Sequence, residues 1–231
     1  MIGSLDLWRR ARGPFGVAAL CLILSAGGAS AQCRPQRDRA LSTQASAGGV
    51  TAGGPAIGIS AKVAADIPAW KTLVLGTYRN GMTIRDALDE ARCAVGDSAD
   101  EILGRPAFTV SAAHTNVDLV VVSVSELGFG DAGASIATIY ARATALGLDL
   151  CPAEVGPLLR LQYADQPLGE FLRVAMRPIA TYAGTPVDFT LANGGADLAL
   201  IGGEWRPDLV VPGAARFVFA RPPEAVRTAK K

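Results

Sequence analysis

From Trp70 onward the apolar positions follow helical spacing first and strand spacing later. Leu73-Val74-Leu75 predicts a first strand. A helix is expected over Thr83 to Val95, because Ile84, Ala87, Leu88, Ala91 and Val95 fall on one stripe at 3.6 spacing. Thr83 is its expected N-cap, Asp86 favours the positive helix start, and Gly96 supplies the left-handed stop. Asp97 or Ser98 caps a second short helix running to Leu103, closed by Gly104 and Pro106. Asp118 to Val124 is apolar at nearly every position, as in a strand covered on both faces. Ser135 then caps a helix from Ile136 to Leu146, lined by Ile136, Ile139, Tyr140, Ala143 and Leu146 and ended by Gly147.

Beyond Pro157 the period shortens. Leu158–Tyr163, Glu170–Met176, Val187–Leu191, Leu198–Ile201, Leu209–Val211 and Arg216–Ala220 read as strands. They are divided by turn residues at Asp165 to Gly169, Ala183 to Pro186, Asn193 to Gly195, Gly202-Gly203 and Pro212-Gly213. On the first of these strands, alternation places Arg160 with Gln162 on one face and Leu159, Leu161 and Tyr163 on the other. Helices first and strands later predict an α+β fold. The expected architecture has N-terminal helices packed on a mainly antiparallel β-meander sheet or a small, partly open barrel.

The ends add an address. Arg9, Arg10 and Arg12 precede the apolar run Phe15 to Ala26, and Ala29-Ser30-Ala31 offers a small-x-small cleavage site. A Sec-type signal peptide over 1–31, cleaved after Ala31, therefore predicts a periplasmic or secreted protein. The alternative is a cytoplasmic protein whose start is misassigned. Residues 32–66, rich in Gly, Ala, Ser and Thr, are expected to form a flexible linker, 67–223 a single domain, and 224–231 a disordered tail. The apolar run is too short for a bilayer-spanning helix, so no membrane span is expected after cleavage.

Net charge is +1 over the whole chain and becomes −1 once Arg9, Arg10, Arg12 and Asp6 leave with residues 1–31. No basic field advertises nucleic acid as a partner. Of the cysteines, Cys33, Cys93 and Cys151 remain after cleavage. A Cys93–Cys151 bridge with Cys33 free is one reading; Cys93 and Cys151 as small buried hydrophobes is the other. With His114 the lone histidine and no Cys-x-x-Cys, neither metal nor cofactor is expected. The glycine-rich run Gly128 to Gly133 lacks the lysine and hydroxyl of a phosphate loop.

Candidate chemistry gathers in Leu150 to Glu170. Glu154, Asp165 and Glu170 are its acids, and Arg160, Gln162, Tyr163 and Gln166 its other polar groups. Glu154, Arg160, Gln162, Tyr163, Asp165 and Gln166 are candidate binding residues. Glu154 with Asp165 or Glu170 is a candidate carboxylate pair for general acid and base work. Against these stands a structural reading in which Glu154 pairs with Arg160, while Asp165 and Gln166 build a hairpin turn.

The same stretch, Leu150-Cys151-Pro152-Ala153-Glu154 through Asp165-Gln166-Pro167 to Gly169-Glu170, resembles a family of bacterial proteins marked by an LCPAEVGPxLRLQYxDQPxGE-like motif. Val95 to Phe108 is similar to a second family segment, and the likeness covers about Lys71 to Arg221. The resemblance implies a shared domain and no particular activity. Two functions follow as expectations. The first is an exported binding or interaction module for an unidentified ligand or protein partner. The alternative is a glycan- or envelope-directed hydrolase.

Overall fold

The computed structural model describes Cys33 and residues 67–222. The expected signal peptide, the linker apart from Cys33, and the tail lie outside the described residues. The fold is α+β. Strands β1 (Lys71–Leu75), β2 (Ala94–Val95), β3 (Thr115–Ser123), β5 (Phe171–Val174), β6 (Ile179–Ala180), β7 (Pro186–Asn193), β8 (Leu198–Glu204) and β10 (Arg216–Arg221) form one curled, open sheet. Its order is β1-β3-β10-β5-β7-β8-β2, with β6 beside β7. A small second sheet pairs β4 (Ala134–Ser135) with β9 (Val210–Val211).

Among the described residues four α-helices cover the sheet. Those of one face are α1 (Gly81–Glu90), α2 (Asp97–Leu103) and α4 (Val155–Gln162). Their Ile84, Leu88, Ile102, Leu158 and Leu159 pack with Leu73, Leu172, Phe189 and Leu200 of the strands. Helix α3 (Ile136–Ala145) covers part of the other face, where Ile139 and Ala143 meet Val120, Val122, Phe217 and Phe219. Strand β10 has Phe217 and Phe219 toward α3 and Val218 and Ala220 toward α4.

That two-sided burial corrects the simple meander. A strand apolar on both faces gains most between neighbours, so β10 sits between β3, antiparallel, and β5, parallel. Only β5 through β8 keep the expected antiparallel pairing of near neighbours.

Local corrections follow from competing interactions. Helix α1 begins at Asn80, whose side chain accepts from Thr83 N at 3.0 Å while Thr83 Oγ1 accepts from Asn80 N at 3.3 Å. Thr83 is thus the reciprocal partner in a capping box and not the cap. The helix ends at Glu90 and not near Val95, because Arg92 takes a left-handed backbone and Ala94–Val95 pair with β8.

The largest correction is Leu158–Tyr163, expected as a strand and found inside α4. Pro157 lies in the first helical turn, where its missing N–H leaves no bond unmade. Gly156 lets the helix lie on β7: a Cβ there would come within 2.8 Å of the Phe189 side chain. Every residue from Val155 to Leu161 is buried, so the run carries no amphipathic period that would separate helix from strand.

Candidate functional site

The helical geometry of α4 takes the sequence-predicted residues apart. Glu154, just before the helix, is buried, and its two carboxylate oxygens accept from two loops. Oε2 takes Gly76 N–H at 3.1 Å and Oε1 takes Ser111 N–H at 2.8 Å. It therefore ties the end of β1 to the approach to β3. No ion pair joins it to Arg160 among the described residues.

Arg160 is fully buried one helix-length away, while Gln162 is exposed, so the two do not share a face as a strand would have placed them. The Arg160 guanidinium donates to Gln166 Oε1 at 2.5 Å and to the Tyr163 carbonyl. Burial lowers its pKa to about 10. Gln166 in turn donates to the carbonyls of Glu170 at 3.0 Å and Leu191 at 3.2 Å. Asn193 Nδ2 returns a bond to the Gln166 carbonyl at 2.7 Å. This chain fastens the end of α4 to the β5–β7 pair. Asp165 lies exposed in the turn between them.

Tyr163 continues the network outward. Its hydroxyl donates to Glu170 Oε2 at 2.8 Å, and Glu170 Oε1 meets Arg216 at 2.6 Å. Burial and that carboxylate push the phenol pKa up. The Tyr163 ring meets Trp70 edge-on at 4.9 Å, with Lys71 Nζ 4.8 Å from its centroid. Glu154, Arg160, Tyr163, Gln166 and Glu170 thus act on the protein itself.

The sulfur chemistry also differs from both sequence readings. Cys33 is disulfide-bonded to Cys93 with Cα atoms 4.8 Å apart, and Cys151 is the free thiol among the described residues. Cys151 is buried, which pushes its pKa up, and its thiol points to the Val218 carbonyl at 3.5 Å.

Two places were not legible in the sequence. One is a groove of about 690 Å³ at the start of the motif, lined by Leu150 to Ala153 with Thr109, Thr144, Asp149 and Arg177 to Ile179. Asp149, Arg177, Thr109 and Thr144 are exposed there, and neither Asp149 nor Arg177 makes a salt bridge among the described residues. These residues come from four separate loops and helix ends, so no local spacing announces them.

The other is a polar cluster on the α3 side of the sheet. Asp188 on β7 is fully buried and bonds Arg173 on β5 at 2.7 Å. Arg173 also donates to the Glu204 carbonyl at 2.7 Å. Burial pushes the Asp188 pKa up to about 7, against the opposing pull of Arg173. Tyr140 of α3 faces this pair and the Trp205 ring, and burial followed by the Asp188 charge pushes its phenol up. The alternation Val187-Asp188-Phe189-Thr190-Leu191 reads as a strand with one wet face; only α3 and Trp205 turn that face into an interior.

Among the described residues no group of three metal-ligating side chains converges, and no helix is long and apolar enough to cross a membrane. No protein-family model, no curated protein and no solved structure matches the chain. The site must therefore be read from its own chemistry.

Proposed function

We propose that this chain is an exported binding module whose ligand lies in the groove fronted by Leu150 to Ala153. The observation that carries the reading is that the groove pairs a concave surface with uncommitted polar side chains, whereas the polar side chains around α4, Gln162 and Asp165 apart, are used internally. Arg177 at its rim suits a ligand bearing a carboxylate or phosphate, and Thr109 and Thr144 add hydroxyls.

Export is supported by the basic and apolar N-terminal run with its small-x-small site. The Cys33–Cys93 bridge agrees, since disulfides persist in oxidising compartments. N-terminal sequencing of periplasmic material should begin at Gln32; a chain beginning at Met1 refutes export.

The hydrolase alternative finds no support in this geometry. Helix α4, of eight residues and so about 12 Å long, stands between Glu154 and the segment bearing Asp165 and Glu170. Paired glycosidase carboxylates lie about 5–10 Å apart. Both oxygens of Glu154 are moreover occupied by backbone amides.

The binding reading is tested by thermal-shift screening of the full chain against small carboxylates and phosphates. Hits should be lost in Arg177→Ala and in Thr144→Trp, which fills the groove, while unliganded stability stays within about 0.5 kcal/mol. Hits that survive both substitutions refute the groove.

A further inference from the structure

The groove fronted by Leu150 to Ala153 borders a strand that is paired on one side only. Pro178 and Ile179 line the groove where β6 begins, and among the described residues β6 pairs with β7 alone. The register decides which main-chain groups are spare. Ile179 lies opposite Val187 and Ala180 opposite Pro186, while Thr181 N–H donates to the Thr185 carbonyl at 2.9 Å. Bonded positions alternate along an antiparallel pair, so Ile179 and Thr181 turn their main-chain groups toward β7. Ala180 therefore turns its N–H and carbonyl away from β7, and the Pro178 carbonyl points the same way. Pro186 fits this pattern, since it sits where no N–H is needed. Ala180 is exposed.

The facing wall is tied to the same strand. Arg105, two residues before the lining residue Ala107, lies over the Tyr182 ring at 4.2 Å, and Tyr182 N–H donates to Glu101. The chain leaving β6 is thereby fastened to α2 and the loop that follows it. The opening between the walls, about 690 Å³, is far larger than one carboxylate fills. Its rim carries both signs of charge. Arg177 and Asp149 are exposed there and form no ion pair, with each other or with any other side chain, among the described residues.

We infer that the ligand of this groove is an extended peptide segment, added to β6 as a further strand, with an acidic side chain on Arg177 and a basic one toward Asp149. The inference rests on the groove reading and narrows it to a ligand class. A strand added to a free edge gains affinity from main-chain hydrogen bonds, here to Ala180 and Pro178, and specificity from side chains at alternate positions. A small carboxylate satisfies Arg177 alone and leaves the strand edge and Asp149 unused. A polyanion sets repeated negative charge against Asp149. A peptide bearing one acid and one base meets both charges and the edge together.

A phage-displayed library of random octapeptides is selected on the full chain, with Thr144→Trp protein as the counter-selection. Enriched peptides should carry Asp or Glu with Lys or Arg a few positions away. Synthetic copies should bind with a Kd of about 1–100 μM in fluorescence anisotropy. Arg177→Ala should weaken them about tenfold, and Ala180→Pro about fivefold. Proline at 180 removes only the outward N–H, which a strand edge tolerates, so the urea midpoint should hold. Methylating the peptide amides one at a time needs no variant protein, and the losses should fall on alternate residues. If the losses do not alternate, or if either variant binds as the wild type does, the added strand is wrong. If no peptide is enriched while small carboxylates still give hits that Arg177→Ala removes, the groove stands and the peptide inference fails. If neither class binds, both readings fall.

Discussion

Cys33 is covalently joined to Cys93 across a sequence separation of 60 residues, and both sulfurs lie in the core shared by α1, α4 and the sheet. Cys33 N–H also donates to the Ala91 carbonyl at 3.0 Å. The bridge therefore anchors a point near the N-terminus against the end of α1. Cleavage after Ala31 would make this residue the second of the mature chain.

Losing the bridge should be felt mainly in the unfolded state, which becomes freer to expand. Cys33→Ser, or reduction with a thiol, is expected to lower unfolding free energy by about 2–4 kcal/mol. Urea titrations of oxidised and reduced protein measure it directly. The buried Cys151 thiol should react with a thiol reagent only when the protein is unfolded.

Glu154 holds two loops by one carboxylate. Glu154→Ala strands the amides of Gly76 and Ser111 and should reduce stability by about 2–4 kcal/mol. Hydrogen exchange should accelerate at those two amides first. Unchanged protection there would mean that the carboxylate is not the clasp.

Arg160 is a second internal fastener, forked between Gln166 Oε1 and the Tyr163 carbonyl. Arg160→Met keeps the bulk and removes both donors, for an expected loss of about 2–4 kcal/mol. Arg160→Lys should recover only part of it, since one ammonium cannot reproduce the planar fork. Chemical denaturation of the three proteins orders them.

Asp188 gives stability a pH signature. Its folded pKa, near 7, lies above the unfolded carboxylate value, so between about pH 4 and 7 the folded state holds the proton more tightly. Its contribution is fully present below about pH 4 and is lost as pH rises toward 7. Asp188→Asn should therefore remove a downward slope in stability across that window. Urea midpoints of wild type and variant, measured from pH 4 to 8, give the difference. A matching slope in both would show that Asp188 titrates normally.

The sequence carried much of the architecture. Ser135 capping Ile136–Ala145, the short helix from Asp97, and the strands near Leu73, Val187, Leu198 and Arg216 all stand close to their expected places. Most are set by a local cap, stop or alternation that acts within a few residues; the second helix instead starts after Gly96 with no side-chain cap from Asp97 or Ser98, and β8 runs on through Gly202-Gly203, expected as a turn, because it pairs with β7 there. The candidate site was less legible. Leu158–Tyr163 reads equally as strand or helix when every position but Gln162 is buried, and the polar residues around it, Gln162 and Asp165 apart, turned inward once it became α4. The α+β class, three of its four α-helices and most of its strands thus followed from short-range stereochemistry and hydrophobic period. Tertiary structure alone decided that β10 lies mid-sheet, that Cys33 meets Cys93, and that Asp188 is buried beside Tyr140 and Trp205. Those outcomes depend on contacts between distant segments, where burial and pairing are chosen by the whole packed core.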